Sequence, residues 1–81
     1  MTGDRPHSAQ LTFEYPSPAS AATVARSVRP ELGEIDSDRA SASVDRTADT
    51  VTVTVDAADL TALRAGLTTW TTLIEVAEAV D

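Results

Sequence analysis

Cysteine and lysine are both absent from this 81-residue chain. Without cysteine there are no disulfides and no thiolate metal site. Without lysine there is no amine nucleophile, and every basic side chain is an arginine: Arg5, Arg26, Arg29, Arg39, Arg46 and Arg64. The aromatics are Phe13, Tyr15 and Trp70 alone. His7 is the single histidine and falls in the expected tail, where it reads as a solvated side chain, and with no cysteine, no lysine and no placed Ser–His pair the common nucleophile and base arrangements are not expected. Gly3, Gly33 and Gly66 stand apart from one another and cannot form a phosphate-cradling loop. No stretch reaches the roughly 20 apolar residues of a spanning helix. Met1 to Ser8 contains no apolar run of a signal peptide, so a cytoplasmic location is expected, with no membrane partner.

What is plentiful is negative charge. Thirteen acidic residues against six arginines give a net charge of −7. Such a surface repels phosphates and disfavours unaided nucleic-acid binding. Abundant Asp, Thr, Ala and Val without lysine suggests a salt-loving source, where ions screen a large negative charge; an ordinary acidic protein is the alternative. A domain this small buries only about 60 % of its unfolded surface. With disulfides absent and no metal cluster evident, association with another chain is the remaining way to enlarge its core.

One domain is expected over residues 9–80, preceded by a flexible tail at 1–8. Residues 9–15 alternate, with Ala9, Leu11, Phe13 and Tyr15 on one side and Gln10, Thr12 and Glu14 on the other. That is a half-buried strand, stopped by Pro16 and Pro18. Ser17 as N-cap and Pro18 at the first helical position open a helix whose apolar face is Ala21, Val24, Ala25 and Val28. Pro30 closes it, because the residue before a proline avoids helical geometry. Residues 33–38 are expected as a loop. Residues 39–46 and 50–56 alternate on either side of a polar turn at 47–49 and predict a hairpin, with Val51, Val53 and Val55 inward. A long helix over about 57–80 follows, capped by Asp56 or Asp59. The fold class is therefore α+β, in the order β-α-β-β-α. Right-handed crossover places the third strand between the other two, giving a three-stranded antiparallel sheet with both helices on one face. At roughly 36 Å the helix would outrun strands of roughly 20–23 Å. The second strand forms an edge, and its small residues Ala40, Ser41, Ala42 and Ser43 mark it as the expected dimer edge.

The long helix carries two stripes. Leu60, Leu63, Leu67, Trp70, Ile74 and Ala77 form a heptad-like seam that fits a helix covering its own sheet. Ala62, Gly66, Thr69, Leu73, Val76 and Val80 run along one side of it. The small pair Ala62 and Gly66 lets another helix come close. That helix is either the chain's own first helix or a partner's, and the carboxyl-terminal residues favour a partner. The acidic pairs Asp36/Asp38 and Glu75/Glu78 read as solvated faces rather than metal ligands. No catalytic residue, cofactor site or metal site is expected, and the chain is not expected to be an enzyme.

The segment Asp56-Ala57-Ala58-Asp59-Leu60-Thr61-Ala62-Leu63-Arg64-Ala65 resembles the opening of the last helix in the dimerisation subunit of the KEOPS complex, the Pcc family. The Phe13-x-Tyr15-Pro16-Ser17-x-x-x-Ala21 junction, the Arg29-Pro30-Glu31 helix end and the valine hairpin are similar too. The resemblance spans about residues 9–80. It implies a β-α-β-β-α dimer whose helical layer binds the N-terminal helices of the metal-dependent catalytic subunit. That complex completes threonylcarbamoyl-adenosine beside the tRNA anticodon. Arg64 matches the family motif and is a candidate RNA contact; an exposed arginine whose stem covers apolar surface is the plainer reading. After Leu67 the family usually has an Asn-Ser pair and then an arginine, where this chain has Thr68-Thr69-Trp70-Thr71-Thr72. That departure argues against a tRNA contact from this helix, so tRNA is expected to be reached only through the complex. It also keeps a second identity open, a divergent paralogue that heterodimerises with the standard subunit instead of forming a homodimer. A small RNA-binding module is the other alternative.

Overall fold

A computed structural model describes residues 5–35 and 39–80 of the chain. Its elements are β1 (His7–Glu14), α1 (Pro18–Val28), a 3-10 turn (Arg29–Glu31), α2 (Leu32–Ile35), β2 (Ala40–Thr47), β3 (Thr50–Ala57) and α3 (Leu60–Val80). The sheet is antiparallel with order β1-β3-β2. This is the expected β-α-β-β-α arrangement, with one short helix added.

The strands follow their alternation. Val51, Val53, Val55 and Ala57 of the central strand are buried on one face, with Val44 of β2 beside them. Leu11 and Phe13 of β1 pack against this core at its margin. The opposite face carries Ser, Thr, Gln10 and acids, and Gln10 donates to the Thr54 hydroxyl across it at 3.3 Å. β1 begins two residues earlier than its apolar alternation, because His7 and Ser8 pair with Ala57 and Asp56. The tail expected over 1–8 is therefore shorter at that end. The hairpin turn is also tighter than expected. Thr47 and Thr50 pair directly, leaving the two-residue loop Ala48–Asp49, and Ala48 takes a positive φ of 54°.

The helices end where their capping chemistry says. The Ser17 hydroxyl accepts from the Ser20 N–H at 3.1 Å, and Pro18 fills the first helical position. Pro30 ends α1 at Val28, but the chain stays helical through the 3-10 turn and α2. The loop expected from residue 33 thus begins later; Asp36 and Asp38 lie outside the described residues. α3 starts at Leu60 rather than 57, because Ala57 belongs to β3 and Asp59 is the cap: its Oδ1 accepts from the Ala62 N–H at 2.8 Å. At 21 residues α3 is roughly 32 Å long, against roughly 27 Å for an eight-residue strand. The overhang is much smaller than expected. The Tyr15 hydroxyl also holds the far end of the helix, donating to Glu78 Oε2 at 2.7 Å.

α1 and α3 pack on each other and on the same face of the sheet. Ala21, Val24, Ala25 and Val28 meet Trp70, Ile74 and Ala77 there, and among the described residues no buried polar or charged side chain interrupts that core. No helix of the described residues is long and apolar enough to cross a membrane.

Candidate interaction surface

Two flanks of α3 set out the surfaces the chain can offer. Trp70, Ile74 and Ala77 point into the core as the seam predicted. Leu63 and Leu67 are half-buried at its margin, and Leu60 departs from the seam with 62 % of its surface exposed. Leu60 is the first residue of the helix and stays largely uncovered, so periodicity alone overstated its burial.

The second stripe does not behave as one surface. A Cβ placed on Gly66 would lie 2.9 Å from Cγ1 of Val55. The close approach that glycine permits is therefore between α3 and the chain's own central strand, and not to a second helix, whether its own or foreign. Leu73 packs against the core. Ala62, Gly66 and Thr69 line a groove of about 230 Å³ between α3 and the start of β2, with Val55 and Trp70 deeper and Arg39, Ala40, Ser41 and Ala42 on the strand side. Val76 is exposed over 57 % of its surface. The side chain of Val80 lies outside the described residues. Of the expected partner-binding stripe, Val76 and Thr69 are presented to solvent, while Gly66 and Leu73 serve internal packing.

β2 is an edge strand, as expected for the residues Ala40 to Ser43. Ala40, Ser41 and Ala42 are half-buried and Ser43 is exposed. β1 is the other edge. At the mouth of the groove Arg39 donates twice to Asp59 Oδ2, from Nε at 3.1 Å and from Nη2 at 2.5 Å. The Arg39 guanidinium, aided by the Ala62 N–H, holds the Asp59 carboxyl below its usual range. One aspartate thus caps α3 and ties it to the segment entering β2. Arg64 is exposed on α3. The described residues contain no group of three His, Cys, Asp or Glu side chains that could hold a metal ion.

Of the exposed residues of α3 only Arg64, Glu75 and Glu78 are charged; the others are threonine, alanine, Leu60 and Val76. This face, which the sequence did not single out as a whole, is legible only once the buried flank is known.

Comparisons with known proteins agree with one another. The family model described as "Transcription factor Pcc1" matches residues 8–80. A solved structure described as "Crystal structure of binary complex Gon7-Pcc1" contains a chain with the same fold, at a TM-score of 0.79 and 16 % identity. That match covers 93 % of this chain and 91 % of the other. No curated protein sequence matches.

Proposed function

The chain belongs to the Pcc1 family, and from that premise we propose that it is a non-catalytic dimerisation and assembly subunit of the KEOPS complex. In this role it supports threonylcarbamoyl-adenosine modification of tRNA by holding the catalytic subunit, and it makes no bond itself. The observation that carries the reading is Val76, a large apolar side chain exposed over 57 % of its surface on the outer face of α3, among exposed threonines and alanines. Helices of the catalytic subunit laid on this face would bury Val76 and the neighbouring threonines and alanines. Fully burying one valine contributes about 1.5–3 kcal/mol, enough for a few such residues to hold a helix in place.

The solved Gon7–Pcc1 complex supports pairing of this chain with a non-identical small subunit as a second reading, in place of a homodimer. The family's description as a transcription factor would require contact with nucleic acid. The free face of the sheet has no aromatic side chain on which a base could stack, and the net charge opposes phosphates. We therefore place tRNA at one remove, reached through the complex, with Arg64 as the side chain on α3 available to touch it. The acidic, lysine-free composition fits a halophilic archaeal cytoplasm as the working environment.

Replacement of Val76 by Asp tests the assignment. It should abolish co-purification with the KEOPS catalytic subunit while the far-ultraviolet circular dichroism stays that of the parent chain. Normal co-purification of a folded Val76→Asp chain overturns it.

A further inference from the structure

α3 is poorly equipped to hold its own carboxyl-terminal end. Its last turn contains no basic side chain. Glu75 and Glu78 instead place carboxylates near the negative end of the helix dipole, where a cation would be favoured. Arg64, the one arginine of the helix, lies toward its other end. Among the described side chains of the last turn only Ala77 is buried, and a single methyl group offers little anchorage. What holds the turn is Tyr15. Its hydroxyl donates to Glu78 Oε2 at 2.7 Å, across 63 positions of the chain. A hydrogen bond to a carboxylate is of the stronger, charge-assisted kind. Tyr15 is itself immobilised. Its N–H donates to the Asp49 carbonyl at 2.9 Å, which fastens it to the β2–β3 turn. Its ring packs against the core. Pro16 follows at once, and a proline confines the backbone of the residue before it. The hydroxyl is therefore a fixed point, and the helix end is the part that can move.

Successive residues of an α-helix are turned by about 100°. Val76 and Glu78 therefore stand on opposite flanks of Ala77, which points into the core. Glu78 is drawn to Tyr15 on one flank, so Val76 is held outward on the other. We propose that Tyr15 is a positioning residue: through its hydrogen bond to Glu78 it fixes the rotation of the last turn of α3 and so presents Val76 for docking of the catalytic subunit. The inference rests on the proposed role of that surface and adds the residue that sets its orientation. Without the bond the last turn frays, because the helix dipole opposes its acidic side chains and few buried contacts remain. Part of the binding free energy is then lost to reordering it. Affinity falls although Tyr15 lies on the flank away from Val76.

Tyr15→Phe removes the hydroxyl and keeps the ring. In the isolated chain, amide hydrogen exchange over residues 77–80 should accelerate about fivefold or more, the size expected from losing one hydrogen bond to a charged group. Exchange in the central strand should stay as in the parent. The affinity of the folded variant for the KEOPS catalytic subunit should fall by a similar factor. Glu78→Gln keeps an acceptor and should retain most of that affinity. Glu78→Ala removes the acceptor, so adding Tyr15→Phe to it should change neither exchange nor affinity further. Unchanged exchange of the last turn in Tyr15→Phe overturns the proposal, and so does accelerated exchange with parental affinity. Additive effects of Tyr15→Phe and Glu78→Ala overturn it as well. Val76→Asp separates this question from the previous one. Normal co-purification of Val76→Asp defeats the docking surface itself, whereas loss of the partner in Val76→Asp with parental behaviour in Tyr15→Phe defeats only the role of Tyr15.

Discussion

Gly66 sits so close to Val55 that a methyl group added to it would meet Cγ1 of the valine at 2.9 Å. Val55 is fully buried and β-branched, so it has neither room nor rotamer freedom with which to yield. Gly66→Ala would gain roughly 1 kcal/mol of helix propensity. Overpacking of a tight core costs about 1–3 kcal/mol. The second effect wins, and the variant should unfold at lower urea than the parent. Gly66→Leu should not fold, which circular dichroism would show directly. An alanine variant as stable as the parent would mean that α3 is not seated on β3 in this way.

Ala48 supplies the positive φ of the β2–β3 turn, at 54°. Two-residue hairpin loops favour glycine, asparagine or aspartate at such a position, and an L-residue there pays about 1–2 kcal/mol. Ala48→Gly should therefore stabilise the chain by roughly 0.5–1 kcal/mol, after allowance for the greater freedom of glycine when unfolded. Arg46 donates to the Ala48 carbonyl, a contact the substitution keeps. A lower thermal midpoint for Ala48→Gly would contradict the turn geometry.

Asp59 gives the fold an acid-sensitive joint. Its carboxyl is held below the usual range, first by the Arg39 guanidinium and then by the Ala62 N–H. A depressed native value means that its contribution is complete above the ordinary carboxylate range and is lost as pH falls through the lowered value. Asp59→Asn keeps a good N-cap but loses the charge. The parent should resist urea better than this variant near neutral pH, and the difference should vanish in strong acid. A difference that persists unchanged at low pH would remove the ion pair as its cause.

Salt acts in the opposite sense from what one ion pair would suggest. The Arg39–Asp59 pair is exposed, and screening it costs little. Thirteen acids against six arginines repel across the whole surface, and screening that repulsion stabilises the compact state. The melting temperature should rise steeply from dilute buffer to molar potassium chloride. A flat profile would remove the salt-adapted reading of the composition.

Sequence reading located what depends on a residue and its near neighbours. Alternation at Val51, Val53 and Val55 marked the central strand, Ser17 and Pro18 opened α1, and Asp59 was one of two candidate caps for α3. It was less reliable where an answer depends on which neighbour a face meets. Gly66 announced a close approach, but nothing in the periodicity said that Val55 lay beneath it. Leu73 fell on the flank assigned to a partner because the angular width of the core was unknown. Leu60 keeps the seam spacing although, as the first residue of α3, it is left largely exposed. Residues 32–35 lacked the length to show any helical period.

The strand order also governs the sequence of events by which the chain acquires its shape. β2 and β3 are joined by two residues, and a hairpin of that kind closes in about 1–10 μs. β1 must instead find a partner made much later in synthesis, as the Gln10–Thr54 contact across 44 positions shows. The amino-terminal strand therefore waits, already emerged, until β3 exists to receive it. Being an edge strand, it can leave without breaking the β2–β3 hairpin. When it leaves, β3 offers a vacancy that β1 of another copy fits as well as its own, so reciprocal exchange of this strand is a second route by which two chains become linked.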